Sequence, residues 1–266
     1  IMDRRKFIHL TSLGAAGFTI KGFIPQTVHG TSSISPIVVA TWDAGLAANK
    51  AAWSVLGSGG KALDAVEKGV MVTEDEMNCC VGLNGNPDRD GFVTLDASIM
   101  DHEFNCGSVA FLERIKHPIS VARKVMEKTP HVMLTGEGAL QFALQQGFLK
   151  QNLLTAESEK AWKDWLKTSN YQPKKNIENE LFDRNSTITP MPGGKDNHDT
   201  IGLLSMDQSG NISGGCSTSG MAFKMRGRIG SPFRGEGWCA GAFAASKIEG
   251  YRGEFARVCA CRNAEV

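Results

Sequence analysis

The sequence predicts an α+β fold, with helices packed on antiparallel sheet. Three observations lead there. Helical and strand patterns fall in separate blocks instead of alternating strictly, which argues against a doubly wound parallel sheet. Two pairs of strand-like runs are joined by short polar turns, the stronger turn being Asp207-Gln208-Ser209-Gly210-Asn211. The chain has 266 residues, 41% hydrophobic and 21% charged, which suffices for one sizeable core.

The elements follow in order. Pro36-Ile37-Val38-Val39-Ala40-Thr41 is a short β-branched run and reads as a buried strand. Residues 47–56 are alanine-rich, and Gly57-Ser58-Gly59-Gly60 stops that helix. Ala62, Leu63, Ala65, Val66, Gly69 and Val70 recur at helical spacing, so 61–73 is a second, amphipathic helix in the same layer. Residues 92–100 read as a strand, with 105–112 as its antiparallel return. Pro118 occupies a first helical position, and Pro130 marks the end of that helix. Residues 137–146 form a short helix closed by Gly147. Thr155 can cap a further helix that carries Trp162, Trp165 and Leu166 on one face. Residues 169–197 are polar and aperiodic, with three prolines, and read as a linker or exposed loop. Strands are expected at 200–206 and 212–219.

Composition excludes several functions. Lysine and arginine number 29 against 28 acidic residues, too even a balance to neutralise nucleic-acid phosphates. Seven cysteines are too few for a disulfide scaffold, and neither a C-x-x-C nor an H-x-x-x-H spacing occurs, so no protein-bound metal is expected. Residues 1–35 read as an export signal and a flexible joint. Asp3-Arg4-Arg5-Lys6-Phe7 precedes a short, weakly apolar stretch, the pattern of a twin-arginine signal. That stretch is too short and polar to span a bilayer, so no membrane partner is expected, and the expected location is periplasmic or exported.

Chemistry is concentrated where the polar loop ends, at His198-Asp199-Thr200-Ile201-Gly202. A threonine hydroxyl is a weak nucleophile without an adjacent base. Its own α-amine can serve, because an α-amino group titrates near ~7.7–8.0. That requires the bond before the threonine to be cut, and Asp-Thr suits self-cleavage through attack of the hydroxyl on the Asp199 carbonyl. Taken alone, Asp-Thr at the start of a strand is usually just the start of a strand.

The motifs add a resemblance. Asn197-His198-Asp199-Thr200-Ile201-Gly202, Ser217-Thr218-Ser219-Gly220-Met221 and Gly227-Arg228-Ile229-Gly230 resemble the glycosylasparaginases, N-terminal-nucleophile hydrolases also called aspartylglucosaminidases. Thr41-Trp42-Asp43-Ala44-Gly45-Leu46, Pro87-Asp88-Arg89-Asp90-Gly91 and Leu95-Asp96-Ala97 agree in order and spacing. Plant-type asparaginases and isoaspartyl peptidases carry His-Gly-Gly-Ala-Gly where this chain has Thr-Trp-Asp-Ala-Gly, which favours the glycosylated substrate.

The resemblance implies a four-layer αββα sandwich, incomplete at the C-terminus, and hydrolysis of the amide between N-acetylglucosamine and an asparagine side chain. No cofactor is implied. It also implies roles: Thr200 as nucleophile, Asp199 and Thr200 as the self-cleaved pair, and Thr218 as the hydrogen-bond partner of the nucleophile. Arg228 would pair with the substrate α-carboxylate and Trp42 would line the pocket. The corresponding division is an α-chain region over 36–199 and a β-chain region over 200–266, paired as a heterodimer within a larger oligomer. On residues alone, Arg228 could also be a surface cation, Thr218 a strand filler and Trp42 part of the core.

The chain departs from the pattern after Gly230, where Ser231-Pro232 follows directly and the family has an intervening aspartate. Beyond Phe233 the likeness fades, and the family's Thr-Gly-x-Gly stretch has no counterpart. The chain ends 66 residues after Thr200, short of the family's β chain. A non-catalytic member of the family, a plant-type asparaginase or isoaspartyl peptidase, and an exported glycan-binding module built around Trp42 are the other readings.

Overall fold

The computed structural model describes residues 35–41, 45–77, 81–169 and 200–230. All of them belong to one compact unit. Trp42, Asp199 and residues 1–34, 170–199 and 231–266, with the export-signal, linker and tail readings that fall on them, lie outside the described residues.

Six strands form one sheet in the order β1-β5-β6-β2-β3-β4. They are β1 (Ile37–Ala40), β2 (Thr94–Met100), β3 (Cys106–Glu113), β4 (Met133–Thr135), β5 (Thr200–Met206) and β6 (Ile212–Thr218). Every pairing is antiparallel except β3 with β4. The expected α+β class holds. The helices are α1 (Gly45–Gly57), α2 (Ala62–Asp75), α3 (Pro118–Lys128), α4 (Gly136–Gln145) and α5 (Ala156–Thr168).

Side chains alternate between the two faces of a strand, and the register shows which side meets the helices. Ile201, Leu203, Ala97, Ile99 and Val109 join Val66, Val70, Ile119 and Val125 of α2 and α3 in one buried cluster. Gly69 lets α2 approach closely: a Cβ there would lie 2.5 Å from Leu203 Cδ1 and 2.9 Å from the Ala48 carbonyl. The opposite face carries Ile37, Val39, Leu204 and Met206, and towards the other end Thr200, Thr218 and Asp96.

The turn at Asp207 does more than reverse the chain. Its Oδ1 accepts the N–H groups of Ser209 and Asn211, while Oδ2 accepts the N–H of Ala62 at 3.3 Å, an anion on the first turn of α2. Gly210 takes φ +78°, as the turn needs.

Two sequence expectations are corrected. Residues 36–41 were expected to be buried, but Ile37 and Val39 are each 51% exposed, because β1 pairs with one strand only and meets α1 on one face. Leu166 was placed on an apolar face with Trp162 and Trp165, yet it is exposed. The two tryptophans anchor α5 instead through a Trp162 N–H bond to the Arg89 carbonyl (3.0 Å) and a stack of Trp165 on Phe223 (4.8 Å). The sequence pattern does not mark β4. Three residues are too few to show a strand period.

Glu74 ties the layers together. Fully buried near the end of α2, it accepts Ser217 Oγ of β6 (2.6 Å) and the Ile119 N–H at the start of α3 (3.1 Å), and it meets His117 Nδ1 at 3.1 Å. Burial pushes its carboxyl above the ordinary value of 4.5, and bonds from His117, Ser217 and Ile119 offset only part of that. The folded state therefore holds more protons than the unfolded chain above pH 4.5, so this contribution to stability grows as pH falls from neutrality and is lost as pH rises through the raised value. Denaturant titrations over that range should show wild type gaining on Glu74→Gln as pH falls; a constant or opposite difference would refute the raised carboxyl. Glu74→Ala, which orphans three partners, should cost about 3–5 kcal/mol.

Candidate active site

Thr200 and Thr218 face each other across the β5–β6 ladder and form its last pair. Both are buried on the face away from the helices, and the Thr200 hydroxyl donates to Thr218 Oγ1 at 3.1 Å. Thr218 Oγ1 also accepts the Gly220 N–H at 2.8 Å, which fixes its position. Sequence motifs 18 residues apart thus meet because β5 and β6 form a tight hairpin. Thr41, just past β1, secures the next step of β5: its N–H donates to the Gly202 carbonyl (3.0 Å), and its Oγ1 accepts the Gly202 N–H (2.9 Å).

The third member of the row is Asp96, paired with Thr218 in the β2–β6 register. Its Oδ2 accepts the Gly230 N–H at 2.6 Å and its Oδ1 accepts the Phe111 N–H at 2.7 Å. The second bond exists because β3 bulges. Leu95 faces Leu112 while Ala97 faces Val109, so two β3 residues oppose the single residue Asp96, and Phe111 takes φ +54°. Burial raises the Asp96 carboxyl; Lys224, the Phe111 and Gly230 N–H groups and Arg228 pull the other way.

Two cations converge above this row. Lys224 is fully buried, and its ammonium donates to the Ser219 carbonyl at 2.6 Å. A Cβ on Gly220 would lie 3.1 Å from Lys224 Nζ and 3.2 Å from Arg228 Nη1, and Gly220 itself sits at φ +72°. Glycine is thus required there both for backbone shape and for space. Arg228 Nη1 is buried and has no hydrogen-bond partner among the described residues. Such an orphaned donor is costly to bury and suited to receive an anion.

Arg226, from the same loop, is held in place by ion pairs to Asp88 (2.9 Å) and Glu113, with its guanidinium 4.3 Å above the Phe92 ring and 5.0 Å from the Phe111 ring.

Of the residues singled out in the sequence, Thr200 and Thr218 are hydrogen-bonded, and Arg228 Nη1 lies against Gly220, whose N–H bonds Thr218; Trp42 and Asp199 lie outside the described residues. Asp96 and Thr41 stand in quoted motifs without an assigned role, and Lys224 stands in none. Asp96 carried a signal, being the one charged residue in the 92–100 strand, where aspartate is disfavoured. Lys224 carried none, since nothing in its neighbours distinguishes a buried lysine from a solvated one.

Comparison with known proteins agrees with the fold and the motifs. A family model described as Asparaginase (Asparaginase_2) matches residues 26–263, and the chain belongs to that family. The match continues beyond Phe233, where the motif likeness fades. The chain is similar to the N(4)-(Beta-N-acetylglucosaminyl)-L-asparaginase of Elizabethkingia miricola, 55% identical over 88% of this chain and 66% of the relative. It is 40% identical to the Rattus norvegicus protein of that name, over 82% of this chain and 66% of the relative. A more distant relative, 34% identical over 73% of this chain and 62% of its own length, is the probable isoaspartyl peptidase/L-asparaginase 3 of Arabidopsis thaliana. The chain thus spans just under two thirds of the length of these relatives.

Proposed function

We propose that this chain is a self-processing amidohydrolase that cleaves the amide between N-acetylglucosamine and the side chain of asparagine. The observation that carries the proposal is the buried Thr200–Thr218 hydroxyl pair at the start of β5, with Arg228 Nη1, unpartnered among the described residues, against Gly220, whose N–H bonds Thr218. The names and identities of the relatives give the substrate class.

The chemistry begins with the chain itself. The Thr200 hydroxyl adds to the Asp199 carbonyl carbon, the peptide C–N bond breaks, and water hydrolyses the resulting ester. Thr200 is left with a free α-amine. When substrate binds, Thr200 Oγ1 attacks the side-chain carbonyl of the asparagine and passes its proton to that amine. The proton then goes to the departing glycosylamine. A second water hydrolyses the β-aspartyl ester on Thr200 and releases aspartate. Thr218 holds the attacking oxygen in line, and Arg228 takes the α-carboxylate through its planar fork. Trp42 is assigned to the pocket wall from its motif position.

The finer architecture belongs to the same reading. The described helices cover only one face of the sheet, and the bare face carries Ile37, Val39, Leu204 and Met206 beside the threonine pair. We assign that face to a second sheet in a four-layer αββα sandwich, since an apolar sheet face is stable only when covered. Scission before Thr200 makes an αβ pair from 36–199 and 200–266, and we place such pairs in a larger oligomer. The Arg4-Arg5 leader supports export to the periplasm.

Incubating the purified protein with N-acetylglucosaminyl-asparagine should release free aspartate faster than incubation with asparagine or an isoaspartyl dipeptide. Release from the last two alone would favour the asparaginase/isoaspartyl peptidase reading. No release from any of the three would overturn the hydrolase assignment.

A further inference from the structure

We propose that Asp96 is a positioning residue that docks the Arg228-bearing loop, 219–230, against the Thr200–Thr218 pair, with Lys224 as its buried counter-charge. The functional part of this inference rests on the reading of Arg228 as the site of the substrate α-carboxylate.

Four observations converge. Asp96 uses its two carboxylate oxygens for two backbone donors from different segments: Oδ2 for Gly230, at the end of the loop, and Oδ1 for Phe111, in the β3 bulge. The loop meets the row tightly there. A Cβ on Gly230 would lie 2.7 Å from Thr218 Cγ2 and 2.9 Å from Asp96 Oδ2, so the backbone itself is packed on the threonine and the carboxylate. Lys224 ties the start of the loop to its own middle through the Ser219 carbonyl, and its ammonium reaches towards the Thr94 carbonyl at 3.4 Å, two residues before Asp96 on β2. Arg228 Nη1 and Lys224 Nζ share the space above Gly220, whose N–H fixes Thr218 Oγ1.

The parts therefore act on one another. A carboxylate in the middle of β2 fixes the far end of the loop, and the loop carries the guanidinium. The bulge supplies the second donor that holds the carboxylate's orientation. The arrangement is selective for an ionised acceptor, because each oxygen faces an N–H. In Asp96→Asn the side-chain amide must turn its NH2 towards one of those donors, and the charge opposite Lys224 disappears. The loop then loses its tether to the row, although the hydrophobic core on the other face is untouched. Displacement of a binding group by about 1 Å can cost ~10²-fold in a positioned reaction.

Two measurements on the full chain test this. Hydrogen exchange resolved to the loop should show Asp96→Asn raising exchange across 226–230 at least about 10-fold while α2 and α3 keep wild-type protection. Unchanged loop exchange would overturn the proposal, whatever the ligand data show. Should the variant exchange rapidly throughout, the wild-type protein decides the matter. Its Gly230 amide proton must be slowly exchanging and shifted downfield by the short bond to a carboxylate, and a fast-exchanging Gly230 amide refutes the docking.

The second measurement is a binding cycle by calorimetry with L-aspartate as probe, over wild type, Asp96→Asn, Arg228→Ala and the double variant. Asp96→Asn should weaken binding roughly 10- to 100-fold, and should add almost nothing in the Arg228→Ala background. Fully additive losses would overturn the positioning role. Wild-type binding that Arg228→Ala leaves unchanged, together with a loosened loop in Asp96→Asn, would instead count against the carboxylate role of Arg228 and leave the docking intact. A pure stability defect would not produce this coupling.

Discussion

Thr200→Ala is expected to run as a single uncut band on a denaturing gel and to release aspartate at least ~10⁴-fold more slowly than the processed protein. One atom carries both losses. Without Oγ1 there is nothing to add to the Asp199 carbonyl, so the α-amine stays locked in a peptide bond. Without Oγ1 there is also no acyl acceptor for substrate. The substitution removes Oγ1, which donates to Thr218 at 3.1 Å, and the Cγ2 methyl, two heavy atoms at the end of a strand and outside the main hydrophobic cluster. Folding should survive, and far-UV circular dichroism should match wild type. Thr200→Ser keeps the oxygen and should still cut. A Thr200→Ala protein that splits at the same bond would show that another group performs the scission.

Arg228→Ala should lower kcat/KM for a glycosylated asparagine by ~30- to several-thousand-fold, the range for truncating one partner of a buried charge pair at 2–5 kcal/mol. On the proposed role the loss should fall mainly on KM, because a carboxylate held by Arg228 would be bound in the ground state as well as in the transition state. Arg228→Lys should recover only part of it. A lysine offers a point charge where the guanidinium offers a planar fork, and its head group would enter a space that already holds Lys224 Nζ above Gly220. Self-cleavage at Asp199–Thr200 should proceed in both variants, as that bond involves no free carboxylate of a substrate. Steady-state kinetics on the two variants, with a gel to score processing, checks all of this; an unchanged KM would remove Arg228 from the binding site.

The sequence foreshadowed the sheet and its hairpins well. The β5–β6 pair was legible because a five-residue polar turn separates two runs of strand type, and the register that opposes Thr200 and Thr218 follows from that turn. The first three helices were legible from alanine richness ended by a glycine run, from apolar periodicity and from Pro118, in that order. Burial was harder to see. Ile37 and Val39 look like core in a β-branched run, and only the register, which turns them to the face away from the helices on an edge strand, leaves them exposed. The site was half visible. Thr200, Thr218 and Arg228 came from motifs, whereas Asp96 became meaningful only once the bulge at Phe111 and the return of Gly230 supplied donors from 15 and 134 positions away. Long-range pairings of this kind leave no local periodicity to detect.

The place of β5 within the sheet has a further consequence. It lies between β1 and β6, and β6 in turn lies against β2. Cutting before Thr200 therefore releases nothing: the hairpin that begins at the new terminus is gripped on both edges by strands from the other piece. The mature molecule would hold together without a covalent link, yet it could not easily be rebuilt once unfolded. Reassembly would become a second-order event, dependent on concentration, in which one fragment must open a gap for the other. Durability in such a protein is governed by how slowly it opens rather than by an equilibrium with its separated halves.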